Sequence, residues 1–295
     1  MTVKKFIGTG VAIATPFRND GTIDFKSYSK LLEYVITNGV NYVVTLGTTG
    51  ESVTLNKEEK TALVSFTIDT IDKRVPLVVG IGGNNTREAL NCIENLDFEG
   101  IDAILSVCPY YNKPTQEGII EHFKAIAAAS PVPVILYNIP GRTGINMTAE
   151  TTLKLAQHKN IIAIKEASGN FAQIMKIIKY KPKNFGVISG DDAIALPLIS
   201  VGAIGVISVI ANVLPSEFSS LINFALEGKF TKANEINLKL LDLYEYLFIE
   251  GNPAGIKAAL NIIGIIQNNL RLPLVPVSSK TYQKIKELLE QIKNS

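Results

Sequence analysis

The chain of 295 residues has no tryptophan, two cysteines (Cys92 and Cys108) and two histidines (His122 and His158). Two thiols do not make a disulfide framework, and their scarcity fits a reducing compartment. The histidines lie far apart on helical patterns, so with the cysteines they give no zinc-ligand spacing, and no metal is expected. Neither sign of charge dominates: 29 basic against 27 acidic residues leave +2, spread along the chain. No nucleic-acid or membrane-surface partner is therefore expected. No apolar run reaches the roughly 20 residues of a membrane span. Met1 to Phe6 carries two lysines with no apolar stretch behind them, so no secretory leader is expected and a cytoplasmic location is. Low-complexity stretches and linkers are also lacking. The 46% hydrophobic content then serves one large α/β domain, with at most a small appendage.

What is present is a recurring unit: a short apolar strand, a polar or glycine-rich turn, and an amphipathic helix. The expected strands are Gly10–Thr15, Tyr42–Leu46, Leu77–Ile81, Ala103–Val107, Val132–Tyr137, Ile161–Lys165, Phe185–Ser189 and Gly205–Val209. Asn56, Thr115 and Thr148 carry helix-start signals, and Gly39 and Gly100 come where helices should stop. Eight alternating units imply a parallel (β/α)8 TIM barrel over residues 1–228, with its active site at the C-terminal ends of the strands. Residues 229–295 lose the alternation. Phe230–Phe248, Gly255–Ile263 and Ser279–Ile292 read as helices punctuated by Asn252-Pro253 and Leu272-Pro273. This C-terminal helical appendage is expected to serve packing or an oligomer surface rather than a second active site.

One stretch stands out. Ile161-Ile162-Ala163-Ile164 runs straight into Lys165-Glu166-Ala167-Ser168. Alternation puts Ala163 and Lys165 on one face, with Ile162, Ile164 and Glu166 on the other. If the first face is the barrel interior, burial penalises the ammonium form and frees a neutral amine to attack a carbonyl. A solvated lysine at a strand end is the plainer reading of that stretch alone.

The other strand ends change the balance. Gly47-Thr48-Thr49-Gly50-Glu51 offers close backbone approach, successive N–H groups and two hydroxyls that suit a carboxylate, or else merely a glycine turn before a helix. Cys108-Pro109-Tyr110-Tyr111-Asn112 brings paired phenols, and Cys108, with no histidine in a strand-end loop to activate it, reads as a small core residue. Tyr137 shares the parity of Ile135, one strand before Lys165, so phenol and amine should meet; imine formation needs such a proton shuttle. Arg142, in Gly-Arg-Thr-Gly, presents a planar fork suited to a carboxylate, unless it is a solvated loop residue. Asp191 and Asp192 invite a metal reading, but helix capping before an apolar helix from Ala193 is preferred. Ile207 offers only backbone and bulk.

Taken together, Gly47–Glu51, Pro109–Asn112, Tyr137–Thr143, the Lys165 strand, Ser189–Asp192 and Gly205–Asn212 resemble the dihydrodipicolinate synthase (4-hydroxy-tetrahydrodipicolinate synthase) family. That family lies within the N-acetylneuraminate lyase superfamily of pyruvate-dependent aldolases. The resemblance covers nearly the whole chain. It implies condensation of pyruvate with L-aspartate 4-semialdehyde on the path to diaminopimelate and lysine, with no cofactor. It makes Lys165 the Schiff-base lysine and Tyr137 the proton donor and acceptor, relayed through Thr48 and Tyr111. It puts pyruvate on Thr49, Ile207 and Gly190, and the second carboxylate on Arg142. It also implies a homotetramer in which Tyr111 completes a neighbour's site. A sialic-acid-lyase-like enzyme would keep Lys165 and Tyr137 but has no need of a cation at Arg142. A catalytically silent keto-acid-binding barrel need not keep lysine, threonine and both tyrosines. The positions matching the family's lysine-effector site are Ser52, Lys57, Lys60, Asn84, Glu88 and Tyr110. Lysine-sensitive bacterial relatives typically carry histidine at the position of Lys60 and often at that of Lys57. Two ammonium groups beside a cationic effector should repel it, so weak or absent lysine inhibition is expected.

Overall fold

The computed structural model describes residues 3–294; Met1 and Thr2, within the stretch read for a leader, and Ser295, the end of the 229–295 region, lie outside them. The strands are β1 (Gly8–Ala12), β2 (Tyr42–Thr45), β3 (Leu77–Gly80), β4 (Ala103–Val107), β5 (Val134–Asn138), β6 (Ile161–Glu166), β7 (Gly186–Ser189) and β8 (Gly205–Ser208). They pair in sequence order and in parallel, and β8 returns to β1 to close the barrel. The start signals act as expected. Asn56 and Glu59 form a capping box on the helix Lys57–Ile71, while Thr115 and Thr148 accept from Gly118 and Thr151 N–H.

β1 sits earlier than the expected Gly10–Thr15. Its first residue, Gly8, pairs with Gly205 at the closing seam, and the Ala14 N–H turns instead to the Asn212 side chain at 3.1 Å. The seam requires glycine: Gly205 has φ +152, and a Cβ there would lie 2.1 Å from the Gly8 carbonyl oxygen.

Side chains fill the interior in layers, as a barrel of this size demands. Phe6, from the short helix Val3–Phe6, closes the N-terminal end edge-on against Tyr42, with ring centroids 5.4 Å apart. Above it lie Val44, Val78, Leu105, Ile135, Ile188 and Ile207. The alternate residues, such as Val43, Val79, Ile104, Leu136 and Val187, pack outward on the helices.

β6 departs from simple alternation. Val134 pairs with Ile161 but Ile135 with Ala163, so Ile162 is an extra residue in the ladder. Both Ile162 and Ala163 join the interior cluster, while Ile161 and Ile164 face the helices. The expectation that Ile162 faces outward is corrected, and the cause is the bulge.

Beyond the helix Pro215–Leu226, three helices follow: Phe230–Phe248, Ala254–Ile262 and Ser279–Lys293. No described helix is long and apolar enough to cross a membrane. The C-terminal region reaches the loop after β2 through a fully buried ion pair between Lys257 Nζ and Glu51 Oε1. Lys257 also donates to the Asn269 carbonyl at 2.9 Å and lies 4.1 Å from the Phe17 ring centroid. Glu51 Oε2 accepts from the Arg271 N–H at 3.1 Å, and the Arg271 guanidinium grips Glu59. Burial pulls the Lys257 ammonium down to about 8, against the opposing pull of Glu51. Lys257→Met would strand a buried carboxylate and is expected to cost about 3–5 kcal/mol in urea unfolding. Adding Glu51→Gln should restore most of that; equal losses in the single and double variants would assign the cost to packing instead.

Candidate active site

The β5–β6 ladder sets Tyr137 and Lys165 on the same rung, both inward. The Lys165 amine lies 4.4 Å from the centroid of the Tyr137 ring, and each residue is 6% exposed. Among the described residues Lys165 has no ion-paired carboxylate. Its amine instead faces the ring of Tyr137. Gly190, after β7, leaves room for its stem: a Cβ there would meet Lys165 Cε at 3.0 Å and Ala167 Cβ at 2.7 Å.

The next rung carries a second pair, facing out. Asn138 and Glu166 are fully buried, and Asn138 Nδ2 donates to Glu166 Oε1 at 2.8 Å. Gln173 donates to the same oxygen at 3.1 Å, Ser168 N–H to the other at 3.0 Å, and Asn138 Oδ1 accepts from Met147 N–H. Burial raises the Glu166 carboxyl and the hydrogen bond from Asn138 opposes it most. This polar clasp locks the strands that carry the phenol and the amine.

Around the mouth, Thr48 and Thr49 follow β2, Arg142 lies in the helical turn Pro140–Thr143 after β5, and Ile207 is buried in β8. Thr49 is 1% exposed and its Oγ1 accepts from Asn252 Nδ2 at 3.0 Å. Arg142 is exposed except for one donation, from Nη2 to the Asn252 carbonyl at 3.1 Å. Tyr111 stands apart: it is 87% exposed, with φ +70. A tyrosine held in the left-handed region with its ring in solvent is a strained arrangement.

Asp192 corrects the capping expectation. The following helix starts at Ala195 and has no side-chain cap. Asp191 Oδ1 instead accepts from Ala193 N–H at 3.0 Å, while Asp192 turns inward and its Oδ2 takes the Val209 and Ile210 N–H groups at 3.0 and 2.8 Å. It thus holds the backbone that follows Ile207. Burial lifts its carboxyl to about 6, against those bonds. Cys108 is fully buried, and burial pushes its thiol up to about 12, as suits an inert core residue.

The effector candidates fall on the neighbouring helices and loops. Ser52 opens the short helix Ser52–Thr54, Lys57 and Lys60 lie one turn apart on the helix Lys57–Ile71, and Glu88 is exposed on the helix Thr86–Glu94. Asn84 follows β3 and its carbonyl accepts from Asn112 Nδ2 at 3.5 Å; Tyr110 is half-buried after β4. Burial raises the thiol of Cys92, one turn beyond Glu88, while Lys60 and Lys57 oppose the rise, so both lysines act on that helix.

Sequence reasoning missed Asn252, Lys257 and the Asn138–Glu166 pair. Asn252 served only as punctuation before Pro253, and a lysine inside a helical pattern reads as a solvated side chain. The one available signal was Glu166, an acid set on the buried outer face of an apolar strand.

The sequence profile of the dihydrodipicolinate synthetase family matches residues 5–292. A 4-hydroxy-tetrahydrodipicolinate synthase of Parabacteroides distasonis is 53% identical over 286 residues, covering 97% of this chain and 96% of that one. The dihydrodipicolinate synthase of Aquifex aeolicus superposes with a TM-score of 0.95 at 42% identity, over 98% of each chain. The chloride-inhibited enzyme of Acinetobacter baumannii, solved with pyruvate, superposes with a TM-score of 0.95 at 41% identity, over 97% of this chain and 99% of that one.

The Asp192 carboxyl carries a pH prediction. Its folded pKa, about 6, lies above the ordinary 3.8, so the folded state binds the proton more tightly. The resulting stabilisation is complete below about pH 4 and is lost as the pH rises through about 6, by up to about 3 kcal/mol. Urea unfolding of the wild type relative to Asp192→Asn should show this decline between pH 4 and 6.5; a constant difference over that range would remove Asp192 as its source.

Proposed function

The chain belongs to the dihydrodipicolinate synthetase family, and we propose that Lys165 and Tyr137 carry out its reaction at the barrel mouth, the condensation of pyruvate with L-aspartate 4-semialdehyde to 4-hydroxy-tetrahydrodipicolinate. The enzyme is a lyase of diaminopimelate and lysine biosynthesis. The observation that carries the residue assignment is the buried amine of Lys165 over the Tyr137 ring at 4.4 Å, on one rung of two adjacent strands in the barrel interior.

The Lys165 amine attacks the ketone carbon of pyruvate, and Tyr137 delivers the proton with which the carbinolamine hydroxyl leaves as water. The imine then loses a methyl proton to become an enamine. The enamine carbon attacks the aldehyde of the second substrate, and the new alkoxide takes a proton to become the product hydroxyl. The amino group of the adduct adds to the imine carbon and expels the Lys165 amine, which closes the ring and frees the enzyme. Thr49, Gly190 and the Ile207 backbone bind the pyruvate carboxylate, and Arg142 binds that of the semialdehyde. Thr48 and Tyr111 complete the proton relay.

Within one chain Tyr111 points into solvent with a strained backbone, and Val53 nearby in sequence to the Thr48 loop is 82% exposed. Both features fit an assembly in which Tyr111 enters the site of a second copy, in a homotetramer working in the cytoplasm. Residues 3–228 then form the barrel and 229–294 the helical region, from which Asn252 reaches Thr49 and Arg142.

Lys165→Ala should abolish covalent trapping of pyruvate by borohydride while leaving the fold intact; trapped mass on another lysine in peptide mapping would sink the assignment. Tyr137→Phe should cost roughly 10²–10⁴-fold in turnover with a smaller change in the pyruvate KM. For the effector region, calorimetric titration with L-lysine should show weak or no binding, because the Lys57 and Lys60 ammonium groups repel a cationic ligand. Tight binding with strong inhibition would mean that those side chains swing aside.

A further inference from the structure

Asn252 is the residue that the reaction scheme leaves unused although it touches both substrate anchors. Its side-chain Nδ2 donates to Thr49 Oγ1 at 3.0 Å, and its main-chain carbonyl accepts from Arg142 Nη2 at 3.1 Å. It comes from the connection between the helices Phe230–Phe248 and Ala254–Ile262 and is 5% exposed. Its Oδ1 is buried and makes no hydrogen bond among the described residues. A buried amide with one half unpaired is costly, so the half that is paired has to account for its retention in that orientation.

A hydroxyl has one proton to give and two lone pairs to receive with. The Asn252 amide occupies a lone pair of Thr49, so the Thr49 proton must be aimed elsewhere. Thr49 is 1% exposed, and among the described residues its hydroxyl proton has no acceptor. A carboxylate is an acceptor-only group, and a donor already turned towards it needs no reorientation when it arrives. We propose that Asn252 is a positioning residue that fixes the Thr49 hydroxyl as a donor to the pyruvate carboxylate. This rests on the assignment of Thr49 to pyruvate binding. The Arg142 contact uses the main chain of Asn252 and survives a change of its side chain, so the two substrates respond differently to substitution.

The test is a steady-state cycle on the full-length enzyme with Asn252→Ala, Thr49→Val and the double variant, with thermal melting recorded for each. Asn252→Ala should raise the pyruvate KM about fivefold to tenfold, the scale of one hydrogen bond. Its turnover at saturating pyruvate should fall by less than that factor, and its semialdehyde KM should stay within about twofold. In the Thr49→Val background, Asn252→Ala should add nothing to the pyruvate KM. Asn252→Asp, nearly isosteric and so a check on folding, should raise the pyruvate KM further, because a carboxylate draws the hydroxyl proton to itself and repels the substrate's own charge. Full additivity with Thr49→Val, or an equal rise in both substrates' KM together with a lowered melting temperature, would overturn the proposal and leave Thr49 in place. A normal pyruvate KM in Thr49→Val would overturn the Thr49 assignment itself, and the proposal with it.

Discussion

An extra residue in one strand decides where the amine points. In β6, Ile161 faces the helices, and strict alternation from there would send Lys165 outward as well. The bulge at Ile162 places two successive residues inward and shifts the parity of everything after it, so Lys165 enters the barrel and Glu166 faces out. The same irregularity brings Tyr137 and Lys165 onto one rung and Asn138 and Glu166 onto the next. The outer pair, tied also to Gln173 and Ser168, keeps the register from slipping back. The register of the inner face is thus held by a buried polar clasp on the outer one.

The barrel treats its two buried lysines oppositely. Lys257 is fully enclosed but meets the Glu51 carboxylate and the Asn269 carbonyl, so its charge is compensated and it serves to fasten the C-terminal region to the loop after β2. Lys165 has only an aromatic ring beside it. Lys165 is thus placed by the ladder and by packing rather than by an ion pair. Packing supports this: Gly190 leaves the channel for the Lys165 stem that any side chain at that position would obstruct.

The mouth is assembled from distant parts of the chain. The loop after β2 carries Thr48 and Thr49, the turn after β5 carries Arg142, and the connection between two C-terminal helices carries Asn252, which touches Thr49 and Arg142 together. Asp192 secures the backbone that follows Ile207 from behind. The C-terminal region is therefore a structural part of the site, which its helical pattern alone did not announce.

By itself the sequence determined the barrel, because eight apolar runs alternating with capped helices allow no other economical burial, and it determined Lys165, Tyr137, Thr49 and Arg142 as candidates, because chemistry in a parallel barrel collects at strand ends. It also marked Cys108 as core and Asn56, Thr115 and Thr148 as caps, since these are local properties. Only the tertiary structure decided the rest. The Ile162 bulge leaves no mark in an apolar run, where every residue is buried whichever face it takes. Asp192 looked like a helix cap because the two N–H groups it holds are 17 and 18 residues away in sequence. Asn252 and Thr49 are 203 residues apart, and Lys257 and Glu51 meet across a comparable separation. Such pairings arise from closing the barrel and folding the C-terminal helices over it, and no local pattern of residues encodes them.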